Sequence, residues 1–192
     1  MTIDHIGIAG YARSGKDTVA QYLAMRYSHT HVSFADAIRD ALVALNPTIT
    51  VHHPETKEKS LMPLELAVFV FGWEDLKDLS PDVRPLLQRF GSEVGRNLWG
   101  EDFWINRLFQ AVAGERKVVI SDVRYWNEAQ AIRRKGGEVW WVERPGVSAV
   151  NNHRSENDLD NYDFDRILRN DGTTDFLFDK IDLIMNFEEM GM

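Results

Sequence analysis

The stretch GIAGYARSGKDTVAQYL, Gly7 to Leu23, decides how the rest of the chain is read. It follows a short apolar run, HIGIAG, that reads as a buried strand, and it runs into GKDTVAQYLAMRY, with apolar residues at helical spacing. Gly10, Gly15 and Lys16 have the spacing G-x-x-x-x-G-K, in the strand–loop–helix context that this motif requires. Successive backbone amides over Arg13, Ser14, Gly15 and Lys16 would form an anion nest, and the helix N-terminus adds partial positive charge. Lys16 would reach the β- and γ-phosphates of a nucleotide, and Arg13 brings a second cation. The spelling departs from the common one at a single point. After the lysine comes Asp17, with Thr18 one place late. A carboxylate among phosphates suits a magnesium ion between them, so Asp17 is expected to hold Mg2+, directly or through water, while Thr18 reaches a phosphate. The other reading of Asp17 is a helix-start residue that only caps.

Outward from this loop, strands and helices alternate. HVSFA, KVVIS, EVWWVERP and RILRN read as four more strands, with helices at DAIRDALVAL (Asp36 as N-cap), NEAQAIRRKGG and TTDFLFDKIDLIMNF. This predicts an α/β, three-layer fold: a five-stranded parallel sheet with helices on both faces. Ligands in such sheets bind beyond the carboxyl ends of strands, after Ala9, Ala35, Ile120, Val142 and Leu168 here. NPTITVHHPETKEKS reads as a polar excursion, PLELAVFVFGW as a helix, and the text from Pro81 to about Ala113 as helical with a break near Gly100.

Composition bounds the partners. The 192 residues are 44% apolar and 27% charged, which is globular, and length favours one domain. The net charge of -8 argues against a nucleic-acid binder, though not against a local site for small anions. There is no cysteine and no apolar run of membrane-spanning length, and MTIDHIGIAG does not read as a secretory signal; a cytoplasmic protein with no membrane partner is expected.

The second cluster is SDVRYWNEAQAIR. Asp122 after an apolar strand is the usual partner of a phosphate loop, supporting magnesium or accepting a proton. Arg124 could grip another phosphate with its planar fork, and Glu128, four residues on, could face and orient it. A capped helix start with a surface ion pair is the plainer reading.

GYARSGKDTVA, FADAIRDAL, RFGSEVGRNLWGEDFWINRLF, SDVRYWNEAQAIR, NNHRSE and RNDGT occur in one order across nearly the whole chain. Together they resemble the phage-type deoxynucleoside monophosphate kinases, of the P-loop nucleoside monophosphate kinase fold. The resemblance implies transfer of the γ-phosphoryl of ATP to a deoxynucleoside 5′-monophosphate with Mg2+, in the host cytoplasm if the chain is phage-encoded. It implies an acceptor site of Ile38, Arg39, Arg84, Ser92, Trp104, Arg124, Glu128 and Ser155, on a helical insertion over 36–115 and a lid at about 145–164. It also implies catalytic roles for Lys16, Asp122, Arg124 and the lid's Arg154, with Asn170 and Asp171 at the ATP base. Each has a plainer reading: Trp104 as a core aromatic, Arg39 as a surface arginine, Asn170-Asp171-Gly172 as a turn. Kinases for dephospho-coenzyme A or phosphomevalonate share parts of the pattern, and a nucleotide-binding regulator would keep the loop but lose the acceptor residues. A homodimer stays open.

Overall fold

The computed structural model describes residues 3–150 and 153–189, and the chain divides into two compact units, 1–34 with 105–192, and 35–104. The first unit is built on five parallel strands in the order β2-β5-β1-β6-β7. They are β1 (His5–Ala9), β2 (Thr30–Ser33), β5 (Val118–Val123), β6 (Glu138–Glu143) and β7 (Arg166–Arg169). These are the five expected strands. β2 ends two residues early, however, because helix α2 (Phe34–Leu45) starts directly at Phe34. Asp36 therefore lies inside the first turn of α2 and does not cap it.

Side-chain alternation along the strands makes the layers. Ile6, Ile8, Val119, Trp140 and Val142 pack with Val19 and Leu23 of α1 (Lys16–Tyr27) and Ile181 and Met185 of α9 (Thr174–Glu189). Val118, Ile120 and Val139, from the alternate positions, pack with Ile105 and Leu108 of α6 (Phe103–Ala111) and Ile132 of α7 (Trp126–Arg134). Both faces of the sheet are thus covered, and its strands read as near-continuous apolar runs for that reason. Tyr22 and Tyr27 of α1 both donate to Asp182 Oδ1, at 2.7 and 2.8 Å, and fasten α1 to α9.

The second unit has its own core of Leu42, Ile49, Val51, Leu64, Ala67, Leu76 and Val83. The segment expected to be a polar excursion is an antiparallel hairpin, β3 (Thr48–His52) with β4 (Lys59–Pro63). Its signal was short: in TITVH only Ile49 and Val51 point inward. Helix α3 (Leu64–Leu79) bends where Gly72 has φ 73. Helix α4 (Val83–Arg89) continues as a π-helix over Phe90–Arg96 and a last turn α5 (Asn97–Trp99), which Gly100 ends at φ 110. A short helix α8 (Arg154–Asn157) lies between β6 and β7. Among the described residues no helix is long and apolar enough to cross a membrane.

One buried imidazole in the first unit ties stability to pH. His29 is 3% exposed; its Nε2–H donates to the Ile3 carbonyl at 3.1 Å, while Nδ1 has no partner among the described residues. Burial holds the imidazole below its ordinary 6.5, more strongly than the Ile3 carbonyl favours the proton. The unfolded chain therefore binds the proton first as pH falls, and stability present above about pH 6.5 is lost below it. A His29→Gln variant should lose less melting temperature than the parent between pH 7 and pH 5; equal losses would assign the acid sensitivity to another group.

Candidate active site

The loop after β1 has the backbone that an anion nest needs. Gly10 has φ 148, Arg13 φ 67 and Gly15 φ 101. A Cβ on Gly10 would stand 2.7 Å from the Val142 carbonyl oxygen, which cannot move, so only glycine fits there. Gly15 is the N-cap of α1 and offers no side-chain acceptor, which leaves the first amides of the helix for a ligand. Ser14 Oγ is buried with no partner among the described residues. Asp17 sits in the first turn with its side chain 56% exposed and is not the cap.

The carboxyl end of β5 supplies the facing charges. Between Gly7 and Ala9 the β1–β5 register advances three residues on β5 against two on β1. At this bulge Asp122 has φ 65, a left-handed conformation costly for most side chains and least so for Asp and Asn. The bulge turns Asp122 toward the loop: Oδ1 lies 3.6 Å from Lys16 Nζ and accepts from Arg124 Nε at 3.0 Å. Lys16 Nζ is also 3.7 Å from Asp17. One carboxylate oxygen thus links the loop lysine with the arginine that follows the strand.

Arg124 is held differently from the expectation. Glu128 Oε2 accepts from the backbone N–H groups of Arg124 (2.9 Å) and Tyr125 (3.1 Å), fixing the start of α7. The guanidinium instead bonds Asp122 and Glu156 of α8. Burial alone would make its charge less favourable, but the two carboxylates outweigh this and raise its pKa above the ordinary arginine value. Glu156 was missed as a site residue. The only sign of it was its place at the end of NNHRSE, and that it meets Arg124 is a tertiary fact.

The lid residues are partly described, since Asn151 and Asn152 of NNHRSE lie outside the described residues. His153 caps α8: its Nδ1 accepts from Ser155 N–H and lies 2.9 Å from Ser155 Oγ. Arg154 bonds Asp158 at 2.8 Å and lies over the Tyr125 ring. Asn170 stands against the phosphate loop, donating from Nδ2 to the Ser14 carbonyl at 2.8 Å. Asp171 pairs with Lys180 and Arg169, both at 3.1 Å, and the Lys180 hydrogen bond holds its carboxyl below the usual range.

In the second unit, Ile38 Cδ1 packs 3.0 Å from where a Cβ on Gly91 would stand, beside Ser92 on the π-helix. Trp104 is 3% exposed, donates from Nε1 to the Gly91 carbonyl at 2.8 Å and lies flush on Gly95. Arg39 pairs with Asp36 and Glu74, each at 3.4 Å, and its Nε is buried with no partner among the described residues. Arg84 donates to the Lys77 carbonyl (3.1 Å) and Asp78 (3.2 Å) at the end of α3. Ile38 and Trp104 thus pack against the turn that carries Ser92, while Arg84 secures a helix end.

The Asn170 tie gives a test of the loop's rigidity. Asn170→Ala should cost about 1 kcal/mol locally, seen as roughly fivefold faster amide exchange at Gly15 and Lys16. Unchanged exchange there would mean that the loop is held by its own turns.

The likenesses agree with this geometry. A family described as deoxynucleotide monophosphate kinase matches residues 75–181. A protein of Acanthamoeba polyphaga mimivirus that carries this kinase name is 30% identical over 186 residues, covering 92% of this chain and 93% of that one. The deoxynucleotide monophosphate kinase of Enterobacteria phage T4 is 26% identical over 231 residues, covering 92% and 96%. A solved shikimate kinase from Aquifex aeolicus shares the fold at TM-score 0.52 with 12% identity, covering 98% and 99%. With a phosphate loop at the end of β1, a lysine–aspartate–arginine chain beside it and this match over most of its length, the chain belongs to the deoxynucleotide monophosphate kinases, enzymes that transfer a phosphoryl group to a deoxynucleoside monophosphate.

Proposed function

We propose that the donor is ATP with Mg2+, that the first unit holds it, and that the acceptor monophosphate is gripped by Arg124. The observation that carries this reading is the position of Lys16 Nζ, 3.6 Å from Asp122 and 3.7 Å from Asp17, at the mouth of an uncapped helix. The residues fit the groups they would hold. The buried, unpartnered Ser14 Oγ suits a nest that faces an anion. Asp17, Thr18 and Asp122 are oxygen donors, as a hard cation prefers. When bound, Mg2+ would neutralise phosphate charge and orient the γ-phosphoryl.

The chain's own residues do the rest by positioning. The nest amides and Lys16 fix the donor phosphates, with Lys16 aligned by Asp122. Arg124, held by the same oxygen of Asp122, presents its terminal nitrogens to the acceptor phosphate. The attacking atom is a phosphate oxygen, already anionic, so Asp122 serves as an aligning group and no strong base is required. Arg154, on the segment about 145–164 proposed as the lid, pairs with Asp158 and lies over the Tyr125 ring, and it is proposed to turn from there to the transferring group. Ile38, Arg39, Ser92 and Trp104 of the second unit are proposed for the acceptor nucleoside, with Trp104 acting through the turn that carries Ser92. Asn170 is proposed to shape the loop from below and, with Asp171, to border the donor base.

Two measurements test this reading. Lys16→Ala should reduce ADP release with a panel of deoxynucleoside monophosphates by at least about 10³-fold, with circular dichroism unchanged. Retained turnover would remove the loop from the reaction. Asp17→Asn should lower activity at limiting magnesium and recover in part at high magnesium, because the amide keeps the shape and loses the charge. An unchanged magnesium dependence would make Asp17 a dipole-complementing residue and Thr18 the metal-side hydroxyl.

A further inference from the structure

The segment between β6 and β7 is fastened to the rest of the first unit by carboxylates at every second position. Glu156 bonds the Arg124 guanidinium, Asp158 accepts from the Trp126 backbone N–H at 2.8 Å, and Asp160 accepts from the Tyr11 hydroxyl at 2.9 Å. Tyr11 belongs to the phosphate loop, and Trp126 opens α7 beside Arg124. The three anchors therefore end on the two elements that would meet phosphates. Two of them are ordinary neutral-donor contacts. Glu156 is different: its side chain is 5% exposed, and it engages the guanidinium proposed for the acceptor phosphate.

We propose that Glu156 is a built-in stand-in for the acceptor phosphate, a positioning residue that latches the segment to Arg124 until a monophosphate displaces it. A guanidinium fork receives a carboxylate and a phosphate in the same planar geometry, so the two compete for the same nitrogens. Asp122 keeps Nε in either case, while Glu156 takes a terminal nitrogen. A phosphate dianion on the terminal nitrogens cannot share them with a buried carboxylate, because like charges at that separation repel strongly. Acceptor arrival and release of the Glu156 contact are then one event, with the Asp158 and Asp160 ties kept. The acceptor binds with an apparent affinity reduced by the fraction of molecules in which the latch is closed.

This inference rests on the reading of Arg124 as the acceptor-phosphate group, and the test separates the two. Titrations of deoxynucleoside monophosphates into the ATP-free protein are compared for the parent, Glu156→Gln and Arg124→Lys, each checked by circular dichroism. With the latch closed nine-tenths of the time, Glu156→Gln should bind acceptor about tenfold more tightly. The steady-state KM for ATP should not change. Arg124→Lys should weaken acceptor binding, since a point charge cannot replace the fork. Unchanged or weaker acceptor binding in Glu156→Gln, with Arg124→Lys weakened, would overturn the latch and leave Glu156 as a support for Arg124. Unchanged binding in Arg124→Lys would remove both the phosphate reading and the latch. If Glu156→Gln does not fold, Glu156→Asp carries the same test. Its charge stays but its reach shortens, so acceptor binding should tighten by a smaller factor, and weakening would count against the latch.

Discussion

A single carboxylate oxygen holds the candidate site together. Asp122 Oδ1 touches Lys16 Nζ, which arrives from the start of α1, and Arg124 Nε, which arrives from the end of β5. Two cations brought this close would repel; the shared anion reverses the sign and fixes the distance between them. The geometry is made by backbone. A bulge adds one residue to β5, and a left-handed φ at Asp122 turns its side chain along the sheet edge toward the loop. Strain of this kind persists where the surroundings over-determine it, and here both flanking strands, β1 and β2, pin the same segment.

The frame was legible in the sequence because it follows from local pattern. KVVIS and EVWWVE have no polar face to confuse the period, and glycines and a proline mark their ends. The phosphate loop was legible because glycine at Gly10 and Gly15 answers steric demands that no other residue meets. The β3–β4 hairpin was not, since two buried side chains in five residues are lost among HHPETKEK. The start of α2 was misplaced because SFA continues the apolar text of β2 with no turn signal between strand and helix.

Site residues divide in the same way. Asp122, Arg124 and Lys16 could be proposed because each lies at a strand end or loop with its chemistry in plain view. The partner of Arg124 could not: Glu128 is near in sequence, Glu156 only in space. Trp104 could be proposed as a wall for the acceptor or as a core aromatic, but that its indole N–H reaches back 13 residues to Gly91 on the π-helical turn is a tertiary fact. That turn carries Gly91 and Gly95, where an added Cβ would crowd Ile38 or overlap the indole.

The Asn170 contact has a consequence in time as well as in space. It joins residues 156 positions apart, and with it the end of β7 supports the loop that follows β1. During synthesis the glycine loop is made first and remains without that support until β5, β6 and β7 have been made and paired around β1. Non-local closure of this kind is slow compared with helix formation. The nascent chain thus carries its most anion-receptive backbone unfinished for most of its synthesis, and nucleotide, by binding the assembled loop, would act late in folding as a ligand that draws the first and last strands together.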